Sequence, residues 1–228
     1  MKIYAVFFTN HKYTSQVSRV MDSLQRIGFD SVIHYTRDWL EGTEFYGMNK
    51  KILDYDRGAG YWLWKPYIIL ETFSRIAEGD VVFYQDAGDS ITKSHILNVI
   101  HQHMKGHDHI VHEWGFPTMY LHNRQATKRD CFILMDCDQP KYHDAKQVEA
   151  GTIVFKNTEF NRYFMNEWIR YCSIEQIVTD AENIHGENFP DFRFHRHDQS
   201  VLTNLLIRHD MERTDIIKPY IQYNIFNA

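Results

Sequence analysis

Val81-Val82-Phe83-Tyr84-Gln85-Asp86-Ala87-Gly88-Asp89-Ser90 is the stretch around which the rest of the chain is organised. Val81 to Tyr84 is an uncharged β-branched and aromatic run. Such a run predicts a strand covered on both faces, because a strand with one wet face would alternate polar and apolar residues. Gly79-Asp80 punctuates its start, and Asp86 to Asp89 fall where its carboxyl end would lie. In open α/β sheets, ligands bind in the crevice at those carboxyl ends. Asp86 and Asp89, with only alanine and glycine between them, leave room for a hard cation and a phosphate. The same residues would equally make an ordinary polar turn.

Toward the N-terminus, Ile3 to Phe8 predicts a first buried strand that ends in the polar loop Thr9-Asn10-His11-Lys12-Tyr13. Gln16 to Ile27 carries apolar residues at Val17, Val20, Met21, Leu24 and Ile27, the spacing of an amphipathic helix, and Gly28 stops it. Ser31 to Tyr35 is a second strand, which completes a βαβ unit. Leu40 to Tyr55 reads as mixed and helical. In Arg57-Gly58-Ala59-Gly60-Tyr61-Trp62-Leu63-Trp64-Lys65-Pro66-Tyr67 the glycines permit unusual backbone angles, and Pro66 suits the first turn of a helix over Tyr67 to Ile76. Two tryptophans beside Lys65 fit a packed aromatic corner and a phosphate site at a helix start equally well.

Toward the C-terminus, Ser94 to His103 predicts a helix. His101, His103, His107, His109 and His112 match no zinc spacing and no HExxH, so they read as surface and loop histidines. Residues 114 to 147 are loop-rich, with a helix near Lys128 to Met135. Glu149-Ala150-Gly151 leads into a strand over Thr152 to Phe155, and Glu159 to Cys172 has helical period with an aromatic core face. After a polar stretch at 180 to 196, His195-Arg196-His197-Asp198-Gln199-Ser200 opens a last helix over Val201 to Ile207. Ile216 to Tyr220 reads as a closing strand or arm. With no repeat, low-complexity run or linker, residues 1–228 are expected to form one domain.

The 43% apolar and 24% charged residues of this 228-residue chain describe a soluble globular profile. A net charge of −5 argues against nucleic acid as a partner, because no basic excess exists to neutralise a phosphate backbone. Aromatic residues reach 15%, which suits either a generous core or sugar stacking; composition does not separate the two. Cys131, Cys137 and Cys172 form no CxxC pair and no even set, so neither a disulfide framework nor a zinc knuckle is expected. The apolar run at Ile3 to Phe8 is too short for a signal peptide or a transmembrane segment. A reduced, cytoplasmic, enzyme-sized domain is the expectation.

An aspartate turn after a central strand, a Glu-Ala-Gly approach to a later strand and a His-Asp-Gln-Ser helix start follow one another in this order. The chain thereby resembles nucleotide-sugar glycosyltransferases of the GT-A fold over nearly its whole length. The likeness is nearest to bacterial and viral capsule or glycan transferases that carry Gly-x-Trp-x-Trp-Lys-Pro upstream of Tyr-x-Asp-Ala-Gly. Here those segments are Gly60 to Pro66 and Tyr84 to Gly88. It is also similar, more weakly, to the glycogenin-like and galactosyltransferase-like retaining families, which have Asn-Ser-Gly where this chain has Glu149-Ala150-Gly151, and an Asp-Gln pair like Asp198-Gln199.

That resemblance implies a single Rossmann-like α/β domain with a mixed central sheet flanked by helices, a UDP-sugar donor, a glycan or glycoconjugate acceptor, and Mn²⁺ or Mg²⁺ between diphosphate and aspartate turn. Where the family has Asp-x-Asp, this chain has Asp86-Ala87-Gly88, so Asp89 or His197 would complete the metal shell. Thr9, Asn10 and Tyr13 would hold the base and ribose. Arg37 would meet the diphosphate or base, while Trp64 and Lys65 would join Asp86, Ala87 and Gly88 around the phosphate and donor sugar. Asp198, with Glu149 as the rival, would deprotonate the acceptor in an inverting enzyme. A retaining enzyme would instead use Asp198-Gln199 for electrostatic support of the donor. Two other functions fit the pattern. One is a nucleotidyltransferase or nucleotide-sugar hydrolase, against which stands the absence of glycine between Thr9 and Tyr13. The other is a non-catalytic glycan-binding domain.

Overall fold

In the computed structural model, which describes residues 1–116 and 119–223, the sheet is mixed and five-stranded. Its strands are β1 (Ile3–Thr9), β2 (Ser31–Thr36), β3 (Val81–Gln85), β4 (His109–Ile110) and β5 (Thr152–Lys156), in the spatial order β2-β1-β3-β5-β4. β1 runs parallel to β2 and β3, with Val6 opposite Tyr84, whereas β5 is antiparallel to both β3 and β4. This is the mixed, helix-flanked α/β sheet expected from sequence. The carboxyl ends of β1 and β3 and the start of β5 therefore share one edge.

Alternation within the strands divides the core. Ala5, Phe7, Val81, Phe83 and Val154 face α1 (Val17–Ile27) and α5 (Ile96–His103). Val6, Phe8, Val82, Tyr84, Ile153 and Phe155 face α4 (Trp64–Phe73), α6 (Glu159–Cys172) and α7 (His197–Arg208). β3 is buried along its whole length, as its uncharged run requires.

Several boundaries differ from the sequence reading. The stretch from Leu40 to Tyr55 divides into α2 (Arg37–Glu41) and α3 (Glu44–Leu53), because Thr43 leaves helical geometry and its hydroxyl caps α3 by accepting from Tyr46 N–H. α4 starts at Trp64, and so takes Lys65 and Pro66 into its first turn. The closing strand lies at Ile221–Gln222, beside Ser90–Ile91; the preceding Lys218–Tyr220 is a 3-10 turn, where Pro219 has no N–H to offer a ladder. His112 is not on the surface: it is buried and hydrogen-bonds the Tyr223 hydroxyl at 2.7 Å.

The path into α4 is the most unusual part of the backbone. Gly58, Ala59, Gly60, Tyr61 and Trp62 all have positive φ, from 51° to 100°, and form a left-handed turn. Each non-glycine residue there costs about 1–2 kcal/mol, so the surrounding structure must enforce the conformation. Trp64 does part of this: its indole N–H donates to Gly58 O at 2.9 Å while its ring stacks on Phe8 at 4.0 Å. A Cβ at Gly60 would stand 2.5 Å from Leu53 Cα, a backbone atom that cannot yield. Gly60→Ala is therefore expected to destabilise the fold by about 3 kcal/mol in urea unfolding, combining left-handed strain with overpacking. An unchanged midpoint would show that this turn is not held in place.

Candidate active site at the carboxyl edge of the sheet

Four segments far apart in sequence meet at the shared edge: the first turn of α4, the turn after β3, the residues before β5, and the start of α7. Asp86 N–H donates to Gly151 O at 2.7 Å, which extends the β3–β5 pairing by one step and joins the second segment to the third. Trp168 in α6 donates its indole N–H to Asp198 O at 3.0 Å and seats the start of α7.

Lys65 is the centre of this arrangement. It is 2% exposed, yet carries an ammonium 3.1 Å from Asp198 Oδ2 and 3.5 Å from Asp86 Oδ1. Its Nζ also donates to Ala150 O at 3.0 Å. Burial works against the charge, but Asp198 and then Asp86 outweigh it, and the Lys65 pKa rises. The sequence left a packed corner and a phosphate site equally open; Lys65 here is turned inward onto protein groups. The backbone N–H of the same Ala150 donates to Gln199 Oε1 at 3.2 Å, so Lys65 and Gln199 grip one residue from both sides.

Asp198 is 3% exposed, and burial pushes its carboxyl up to about 6 despite the opposing pull of Lys65. The ion pair to Lys65 lacks hydrogen-bond alignment, so Asp198 Oδ2 has no hydrogen-bond partner among the described residues. Nor has Gln199 Nε2. A buried donor without a partner, as at Gln199 Nε2, costs about 1–3 kcal/mol, whereas Asp198 Oδ2 keeps the compensation of its ion pair.

The acidic turn is compact. Tyr84 O–H donates to Asp86 Oδ1, Arg19 donates to Ala87 O at 3.1 Å, and Gln85 Nε2 donates to Asp89 O at 2.9 Å. Gly88 is part-exposed at the tip. Asp86 Oδ2, Asp89 Oδ2 and Glu149 Oε1 all lie within 3.2 Å of the point a Cβ on Gly151 would occupy. Glu149 Oε1 accepts from Gly151 N–H at 2.9 Å, and desolvation raises its carboxyl although part of the residue reaches solvent.

Hard carboxylate oxygens suit Mn²⁺ or Mg²⁺ chemically. Among the described residues, however, no three histidine, cysteine or carboxylate side chains form a ready metal cage. His197 is turned elsewhere. Its Nδ1 pairs with Val178 O at 2.8 Å, its Nε2 is 3.8 Å from Asp180, and its ring stacks near Trp62. Burial lowers its pKa to about 4, so it is neutral.

Of the residues expected around a base, Asn10 and Arg37 meet at one pocket, which none of Asp86, Asp89, Glu149 and Asp198 lines. Thr9 is buried and its hydroxyl bonds His34 at 2.8 Å; Asn10 caps the turn after β1 by accepting from Lys12 N–H; Tyr13 is 37% exposed. Arg37 binds Leu53 O, Glu41, Asp54 and Tyr46. Asn10 and Arg37 line one pocket of about 240 Å³ with Lys12, Leu53, Asp54 and Asp56. A larger cleft, about 850 Å³, lies between α5 and residues 216–220, but none of the expected site residues lines it.

Sequence reading missed Tyr84 and Arg196. Tyr84 looked like plain core, and only its hydroxyl's reach to Asp86 reveals it. Arg196 was visible only as a charge before a helix. It lies near enough to Glu149 and Asp198 to oppose the rise that burial imposes on both carboxyls, and its guanidinium stands 5.4 Å from the centroid of the Trp114 ring.

No known protein family and no curated protein matches the sequence. Among solved structures, the chain is similar to mouse xyloside xylosyltransferase 1 (TM-score 0.48, 9% identity, 93% of this chain and 83% of that one). It is likewise similar to the galactosyltransferase LgtC with donor and acceptor sugar analogues (0.45, 14%, 89% and 70%). A third similar structure is the glycosyltransferase GlyE of Streptococcus pneumoniae (0.43, 15%, 94% and 45%), of which the chain spans less than half. Among the described residues, no helix is long and apolar enough to cross a membrane.

Proposed function

We propose that this chain is a glycosyltransferase that moves a sugar from a UDP-sugar to a glycan or glycoconjugate acceptor. The observation that carries the reading is the buried pair Gln199 Nε2, which has no partner among the described residues, and Asp198 Oδ2, which is met only by the Lys65 ammonium, set beside the carboxylates of Asp86, Asp89 and Glu149. A polyhydroxylated ligand offers both the donors and the acceptors that such a pair lacks.

In this reading Asp198 and Gln199 orient hydroxyls of the donor sugar, and the ionised Asp198 supports positive charge developing at the sugar carbon. Lys65 fixes Asp86 and Asp198 at one separation. Glu149, which reaches solvent, meets the acceptor hydroxyl. A divalent ion held by Asp86 and Asp89 would neutralise charge on the departing diphosphate. The pocket at Asn10 and Arg37, beyond the end of β1, would receive the base.

Calorimetric titration of UDP with and without Mn²⁺, repeated on Asp86→Asn, tests the reading. Metal-dependent binding that disappears in Asp86→Asn is the expected result. No UDP binding under either condition would remove the UDP-sugar donor and bring forward the glycan-binding alternative.

A further inference from the structure

Lys65 is sealed within the protein, so it does not reach a substrate anion, yet the site it anchors carries four carboxylates: Asp86, Asp89, Glu149 and Asp198. A phosphate or carboxylate of a substrate arriving there meets repulsion from whichever of these carboxylates a divalent ion would not neutralise, and a second cationic side chain facing it would offset that. Other cations near this edge are committed. Lys146 pairs with Glu113 at 2.7 Å, Lys218 donates to Glu113 O at 2.9 Å, and Arg19 donates to Gln16 and to Ala87 O.

Arg19 likewise has no carboxylate ion pair among the described residues, but its guanidinium is spent on Gln16 Oε1 and Ala87 O, whereas Arg196 keeps more of its donors free. Arg196 is part-exposed, and no carboxylate forms an ion pair with it among the described residues. One of its N–H groups reaches Gln199 Oε1 at 3.3 Å, and its guanidinium carbon stands 5.4 Å from the centroid of the Trp114 ring, within cation–π range. Its remaining N–H groups meet no acceptor among the described residues. Its backbone is tied down as well, since Arg196 N–H donates to Ala126 O at 3.0 Å. A guanidinium held at one end by an amide and on one face by an indole has already lost much of its rotamer freedom. Its free edge is then preorganised for two-point binding of an oxyanion.

From this we infer that Arg196, seated on Trp114, is the substrate-oxyanion contact of the site. The inference rests on the glycosyltransferase reading for what that oxyanion belongs to: the donor's diphosphate or an acidic sugar of the acceptor. Both present the planar or tetrahedral oxygens that a guanidinium fork recognises.

The test compares wild type, Arg196→Met and Arg196→Lys, with UDP, uridine, pyrophosphate and glucuronic acid as separate probes in the presence of Mn²⁺. Far-ultraviolet dichroism and melting confirm that each variant is folded. Loss of one charge-assisted contact is expected to weaken the recognised probe about 10- to 100-fold in Arg196→Met, less in Arg196→Lys, and to leave uridine unchanged. Weakening of UDP and pyrophosphate assigns the diphosphate; weakening of glucuronic acid alone assigns an acidic acceptor. Unchanged affinity for all three anions in a folded Arg196→Met would overturn the inference while leaving the glycosyltransferase reading intact. A wild type that binds pyrophosphate through Arg196 but not UDP would sink the UDP-sugar reading and keep the oxyanion seat.

Discussion

Lys65→Met is expected to lower stability by about 3–5 kcal/mol at neutral pH, because it leaves Asp198 and Asp86 facing one another without their buried cation. The loss is pH-dependent. In the folded wild type the Asp198 carboxyl is pushed up to about 6, against 3.8 when unperturbed, so the folded state holds a proton that the unfolded state releases. Stability contributed by Asp198 therefore falls as pH rises from about 3.8 to 6. Without the Lys65 ammonium the carboxyl rises further, the window extends to higher pH, and the variant should be least impaired in acid. The Lys65 pKa is itself raised, so in wild type its contribution persists through neutral pH and is lost only above the ordinary lysine range. Urea unfolding across pH 5 to 8 would read this directly. Adding Asp198→Asn to Lys65→Met should recover part of the loss, since the double variant removes a charge that the single one strands. A double variant less stable than Lys65→Met would show that Lys65 and Asp198 do not act as one unit.

Asp198→Asn is the second large effect: kcat/KM for transfer should fall about 10²- to 10³-fold, in the range of removing one preorganised electrostatic group. On the proposed reading UDP binding should survive, because that reading gives Asp198 the donor sugar and not the base or the diphosphate. That pattern is the opposite of the one expected for Asp86→Asn, where binding itself should disappear. The wild-type rate should fall as pH drops through about 6, since only the ionised carboxylate supports positive charge at the reacting carbon. Transfer by Asp198→Asn at the wild-type rate would remove Asp198 from the chemistry and leave it a structural partner of Lys65.

Glu149 and Arg196 illustrate how the chemistry is distributed. Glu149 is the part-exposed carboxylate and Asp198 the sealed one, although the two were rivals for one role in the sequence. Arg196 precedes the Asp198-Gln199 pair by only two positions, but its value comes from Trp114, which stands on a separate segment.

Local patterning marks four of the five strands of the sheet, all but His109–Ile110, which the sequence read as surface and loop, and it marks the acidic turn at the sheet's edge. The uncharged run Val81 to Tyr84, the apolar run Ile3 to Phe8 and the acidic turn after Gln85 follow from local patterning, because the composition of a strand and the φ freedom of a glycine act over a few residues. Tertiary structure decided which of those residues meet. Lys65 looked equally suited to a phosphate or to an aromatic corner, and only the left-handed turn at Gly58 to Trp62 turns it inward onto Asp198 and Asp86. His197 sits next to Asp198 in sequence, yet its positive φ of 50° sends its ring toward Val178 and Asp180. The direction a side chain takes, and whether its hydrogen-bonding atoms find partners, depends on segments distant along the chain. No local period encodes that.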